Sequence, residues 1–311
     1  MRGDKTPIEK MDEGIFILPS GYWDEKGTLH QEVELRSLSG REEELISNRT
    51  ISYNIAELVT ALLSNCVVRI GSISDVKLEI VKGLLISDRD YLLLRLRQRT
   101  FGNEIQGTLI CPKCLKKFDM DFDLKDIEIT RKNTLRQDFS MRLSNRAAYK
   151  DGKGVFHREI VFRLPTGADQ EEIIKHIPTN QTYALTELLA RCIQRIGNIE
   201  EITFNLIQSL SVLTRREIES KMKEVSPSVD VAIEFECPYC THKFKDAFDL
   251  YTFFFNELKN NKRLLYQEVH LLALYYHWSE NEILNMAIPK RKMYVGLLKQ
   301  EIERSNKASE L

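Results

Sequence analysis

The chain is short of several things, and each shortage narrows what it can be. In 311 residues no run approaches the ~20 apolar residues of a membrane-spanning helix, so no membrane span is expected. The opening stretch "MRGDKTPIEKMDEGIF" lacks the apolar core of a secretory signal, which predicts a cytoplasmic protein with reduced thiols. Glycine (14) and proline (8) are scarce, so long flexible linkers are not expected. Neither sign of charge prevails: Lys+Arg is 45, Asp+Glu is 46, and the net is −1. That balance argues against broad binding to a phosphate backbone, and nucleic acid is not the expected partner. A Gly-rich phosphate loop, a His-Glu-x-x-His helix and a Gly-x-Ser-x-Gly elbow are all missing. With no catalytic constellation to rest on, the chain is read as a non-enzyme with no catalytic residue.

What is present is a repeat. "YWDEKGTLHQEVELRSLSG" begins at Tyr22 and "YKDGKGVFHREIVFRLPTG" at Tyr149, an offset of 127. Asp24, Gly27, His30, Arg36 and Gly40 thereby meet Asp151, Gly154, His157, Arg163 and Gly167. After a one-residue slip, "NCVVRIG" at 65–71 meets "RCIQRIG" at 191–197, and register then holds from Cys66 to Leu124. Chance does not keep register that long, so a tandem duplication is predicted. The expected division is 1–139 for the first repeat, 140–252 for the second, and 253–311 for a C-terminal helical segment with no counterpart.

Each copy reads in the same order. Turn residues Asp24–Gly27 and Asp151–Gly154 separate extended runs. A short acidic helix follows Gly40 and Gly167, with "REEELI" (41–46) read as its solvated start. An apolar helix is expected over 55–70 and 182–196, on the spacing of Leu58, Leu62, Cys66 and Ile70 and of Leu185, Leu188, Cys192 and Ile196. Further helices are expected near 76–85 and 202–212, then after Ser87 and Thr214, the last with Thr214 and Glu217 as a capping box.

Each copy ends in a cysteine pair, Cys111-Pro-Lys-Cys114 and Cys237-Pro-Tyr-Cys240. Such a pair is either a redox dithiol or half of a metal site. A redox dithiol draws its low pKa from a helix N-terminus. Here Val231, Ile233 and Phe235 alternate with polar residues before the second pair, and Phe244 and Phe248 continue as a strand after it. Period-two alternation on both sides puts each pair at the tip of a β-hairpin, as in a zinc knuckle. One knuckle gives two ligands and structural zinc takes four. If the copies pack about a pseudo-twofold axis, Cys111, Cys114, Cys237 and Cys240 can meet as one Cys₄ site, with one structural zinc per chain. A site shared with another subunit, or no metal, are the alternatives. Cys66 and Cys192 read as small core residues, and His30 and His157 as hairpin packing.

The C-terminal segment is helical and unusually apolar. Leu265, Val269, Leu272 and Tyr276 make one stripe; Leu271, Leu274, Tyr275 and Trp278 make a neighbouring one. Ser279 and Glu282 form a capping-box pattern, and Pro289 suits the first turn of a last helix. Tyr275, Trp278 and Leu298 are candidates for partner anchors, with packing onto the protein's own core as the alternative.

Taken together, the Asp-x-x-Gly-x-x-His turn, the "ELR" strand, "LSGREEELI", the cysteine hairpins and "EVHLLALYYHWSENEIL" resemble the T-even-phage baseplate protein family, also found in phage-tail-like contractile injection systems. Members are described as baseplate hub assembly proteins or chaperones. The resemblance implies a non-enzymatic part in building a contractile-tail baseplate, with baseplate or hub proteins as partners. Whether the protein stays in the finished particle is left open. A zinc-stabilised nucleic-acid or transcription adaptor and a dithiol oxidoreductase are the competing classes. The expected fold is α+β: a duplicated helical layer with small antiparallel hairpins, zinc-knuckle hairpins and a helical C-terminal segment.

Overall fold

A computed structural model describes residues 5–6, 14–49, 54–132, 137–260 and 262–309. Most of the N-terminal stretch read for a signal lies outside the described residues. The fold is α+β, as expected: helices and small antiparallel sheets alternate along the chain.

The two copies share their main elements in the same order. In the first, Ile15–Trp23, Leu29–Leu35 and Val67–Ile70 form a three-stranded sheet. In the second, Asp138–Arg142, Glu159–Arg163 and Ile193–Ile196 do the same in the same order. Register is conserved along with order. Val33 pairs with Ile70 and Leu35 with Val67; Ile160 pairs with Ile196 and Phe162 with Ile193, with an irregularity at the matching step.

The conserved Asp, His and Gly hold this sheet's turns. Asp24 accepts the amides of Lys26 and Thr28 and bonds His30 Nε2 at 3.0 Å; Asp151, with Lys153, Val155 and His157, repeats the pattern at 3.0 Å. The other face of each imidazole presses on a glycine at positive φ. A Cβ on Gly71 would lie 2.3 Å from His30 Nδ1, and one on Gly197 2.2 Å from His157 Nδ1. These histidines are therefore hairpin fasteners, as their positions suggest.

Some of the expected helix bounds need correction. The helix is Ile55–Cys66 in copy one and Gln181–Cys192 in copy two; the next four residues are strands. Ile70 and Ile196 are buried, but from a sheet. The segment after each cysteine, begun and ended by β-branched residues, turns extended because it finds a partner strand, without a Gly or Pro to stop the helix. The helices expected after Ser87 and Thr214 both start earlier, at Ile86 and Val212; Ser211 is the N-cap of the second and accepts the Thr214 amide at 3.1 Å. Glu217 instead accepts the Ser144 amide and hydroxyl.

The acidic run is not solvated. Glu42 and Glu43 are 3 % and 2 % exposed. Glu42 is gripped by Arg36 and by the Ser39 amide and hydroxyl. Glu43 meets Arg291 at 2.5 Å, and Arg291 Nε reaches Glu268 at 2.7 Å, so one buried guanidinium sits between two buried carboxylates. Burial and the Glu268 carboxylate push Glu43 up against the pull of Arg291.

The C-terminal segment has a local counterpart after all. Leu78–Gly83 followed by Ile86–Phe101 is a short helix, a two-residue corner and a long helix. Phe204–Ser209 with Val212–Val225, and Glu280–Asn285 with Ile288–Ser309, repeat it. N-cap and corner keep the same spacing: Lys77 to Leu85, Thr203 to Ser211, Ser279 to Ala287. Each of these three hooks carries an arginine one turn into its long helix: Arg89, Arg215 and Arg291.

The core follows this plan. First-copy residues form one cluster with Leu250 at the end of the second repeat and with Phe254, Phe255, Leu258 and Ile288 of the C-terminal segment. Second-copy residues form a separate cluster around Phe162, Cys192, Ile207 and Ile218. Between the copies, Glu128–Thr130 pairs with Lys5–Thr6 on one side and Ser228–Asp230 on the other. That sheet precedes the second cysteine hairpin and brings it alongside the first. Leu298 is buried, and Trp278 stacks on Tyr276 and meets Tyr294, so these two anchors belong to the protein's own core; Tyr275 is half exposed.

Candidate metal centre

Each cysteine pair sits where the alternation places it, at the tip of a hairpin. Glu104–Ile110 pairs with Lys117–Asp123, and Ala232–Glu236 with Lys243–Ala247. The tips are built alike. Cys111 N–H donates to Lys116 O at 3.1 Å and Leu115 N–H to Cys111 O at 2.9 Å; Cys237 with His242, and Thr241 with Cys237, do so at 3.0 and 2.9 Å. Leu115 (φ 58°) and Thr241 (φ 53°) take the left-handed conformation that turns the chain back beneath its second sulfur. Neither pair opens a helix, so the electrostatic setting of a redox dithiol is missing.

The duplication brings the two tips together. Cys111 Sγ lies 3.7 Å from Cys240 Sγ, and Cys114 Sγ 3.6 Å from Cys237 Sγ. All four sulfurs lie within 4.8 Å of one another, and all four cysteines are free thiols. Thiolates about 2.3 Å from one ion would be ~3.8 Å apart along a tetrahedral edge, so the set is of the right size. The arrangement is pseudo-symmetric: the first cysteine of each pair is fully buried and the second partly so. These four residues could hold one metal ion between them.

The surroundings suit a compact anionic centre. Phe118 and Phe244 meet edge to face at 6.4 Å from opposite hairpins, and Lys116 lies over the Tyr239 ring at 4.9 Å. Burial works against the Cys111 thiolate, but the amides of Cys114 and Lys113 and the neighbouring sulfurs outweigh it and hold the group down at about 6. At Cys240 the His242 amide favours the thiolate, yet burial and the other three sulfurs push it up to about 12. Four thiols this close oppose one another's ionisation, and a shared cation relieves that conflict. Cys66 and Cys192 lie away from the centre, in the two separate cores, and burial pushes both thiols up.

Other buried polar groups escaped the sequence reading. Arg89 is fully buried and donates to Ala56 O at 2.7 Å and Thr60 Oγ1 at 2.9 Å. Asp88, also fully buried, accepts the Ser20 amide at 2.8 Å; burial pushes its carboxyl up to about 7. The equal spacing of Arg89 and Arg215 within the repeat was the available signal for the first.

A family model for T4 bacteriophage base plate protein matches residues 17–255. The match takes in both copies and all four clustered cysteines, and the chain belongs to this family. Comparison with curated proteins and with solved structures found no match. No helix among the described residues is long and apolar enough to cross a membrane.

Proposed function

We propose that the protein is a non-enzymatic assembly factor or minor component of the baseplate hub in a contractile tail or injection system, held together by a structural Cys₄ zinc site. The family match over residues 17–255 carries the baseplate part of this reading. Its partners are other baseplate or hub proteins, met through protein–protein contact.

The proposed ligands are Cys111, Cys114, Cys237 and Cys240, one pair from each copy. Zinc suits an all-sulfur tetrahedral set of this size. Four thiolates would leave no open position for water or substrate, so the ion would act as a clamp. Its effect is to tie together hairpins more than a hundred residues apart in sequence, which keeps the copies in fixed relation while other surfaces engage partners.

Deleting the gene in its native cluster and imaging particles by electron microscopy tests the function. Loss of assembled sheathed particles, with soluble subunits accumulating, is the expected outcome. Complete, normal particles would overturn the reading. Mass spectrometry of wild-type particles then separates a retained component from a departing chaperone.

A further inference from the structure

Two of the three hooks are filled, and in the same way. In the first, Ile86 N–H donates to Pro165 O at 3.2 Å and Gly167 N–H to Leu84 O at 2.9 Å, closing a bridge between Leu85 and Thr166. In the third, Ile288 N–H donates to Leu38 O at 2.8 Å, and Ala287 bridges Ser39. The inserted segments are repeat equivalents, Leu38-Ser39-Gly40 and Pro165-Thr166-Gly167. Each is braced by an arginine at the end of the preceding strand or just past it, Arg36 on Glu42 and Arg163 on Asp169.

Each inserted glycine starts a helix that crosses the hook arginine. A Cβ on Gly167 would fall 1.6 Å from Arg89 Nη1, and one on Gly40 3.0 Å from Arg291 Nη1. An acid on the inserted helix then meets the arginine or its partner. Glu43 binds Arg291, and Glu171 accepts from the Thr60 hydroxyl that also receives Arg89.

The second hook has the same parts and nothing inserted. Among the described residues, Ser211 at its corner takes part in no bridge. Val212 is 68 % exposed and Leu213 42 %, whereas Ile288 in the third hook is fully buried. Thr182 is exposed where its equivalent Ala56 is fully buried. Arg215 reaches Thr186 as Arg89 reaches Thr60, and otherwise folds back onto the carbonyls of Ile207 and Gln208. Both of the chain's own inserting segments are used, so a second copy could fill this hook only by vacating another.

We propose that the second hook is a docking socket for a different protein of the assembly, one that carries the same inserting segment. That segment is an extended apolar–Ser/Thr pair, then a glycine that starts a helix, then an acid three or four residues beyond it. The backbone of the pair bridges Ser211 through the Val212 N–H and the Leu210 carbonyl. The glycine passes over Arg215, the acid meets its guanidinium, and Val212 and Leu213 are covered. The partner's place in the assembly rests on the baseplate reading; the socket rests on the three-fold recurrence of the hook.

A peptide of residues 160–176 of this chain is the probe, titrated to millimolar concentration against the full-length protein. The expected result is saturable one-to-one binding with hydrogen-exchange protection appearing over 204–215. Val212→Asp should weaken binding about tenfold, with melting unchanged because the side chain is exposed. Gly167→Val in the peptide should weaken it comparably, which carries the test should the protein variant fold poorly. Absence of saturable binding, protection over 78–89 or 280–291 instead, or indifference to both substitutions would overturn the proposal. These readouts need no particle, so they stand apart from the deletion experiment.

Discussion

The first copy is enclosed on two sides and the second on one. The first copy's hook receives Pro165–Gly167 from the second, and its own Leu38–Gly40 enters the C-terminal hook. Its core accordingly extends into Phe254, Phe255 and Ile288, while the second copy's core is drawn almost wholly from its own residues. The local chemistry is nearly the same in both. What differs is which surfaces find a neighbour, and that alone decides whether Ile86 and Arg89, or Val212 and Arg215, are shielded from water. Unequal burial of two like copies thus leaves one copy doubly enclosed and the other with an open hook.

The thiols, which both copies contribute equally, should matter most. On the proposed zinc clamp, Cys111→Ser and Cys237→Ser should each cost on the order of 5 kcal/mol or more, because the metal's binding energy would be folding energy. The double variant should be no worse than either single one, since both copies serve one site. Additive losses in urea unfolding would point to two independent sites.

Next in size are the hook arginines. Arg291→Ala strands two buried carboxylates and should cost about 3–5 kcal/mol. Arg215→Ala, at the half-exposed equivalent, should cost about 1 kcal/mol. Equal losses would mean that the second hook is shielded like the third. The glycines follow. Gly167→Ala forces the buried Arg89 to move and should cost about 2–3 kcal/mol, against about 1 for Gly40→Ala, whose nearest contacts begin at 2.9 Å.

The smallest effect is a pH slope. Asp88 is raised to about 7 from 3.8 by burial, so above 3.8 the folded chain binds a proton that the unfolded chain has released. Its contribution is present at low pH and is lost as pH rises through about 7. Asp88→Asn keeps an acceptor for the Ser20 amide and should flatten the decline in stability between about pH 4 and 7. The second copy has Thr214 at this place, its hydroxyl donating to Ala147 O, and Thr214→Ser should leave the slope unchanged.

What could be read in the sequence was whatever the repeat preserved. The hairpins, the cysteine tips and the Asp-His turns were legible because side-chain alternation and register survived together from copy to copy. The end of the apolar helix at Cys66 was not, since Val67–Ile70 becomes a strand only when Val33–Leu35 lies beside it. The acidic run misled for a similar reason: Arg291, which buries Glu43, lies 248 residues away in sequence. The third hook shares only its spacing and its arginine with the other two, too little to align without the fold.

The metal content of the intact protein decides whether one clamp joins the two copies. After chelator-free purification, one zinc per chain is expected, lost entirely in Cys111→Ser and equally in Cys237→Ser. Clearly less than one zinc in the wild type, or half the metal retained in either variant, would contradict a single clamp shared by the two copies.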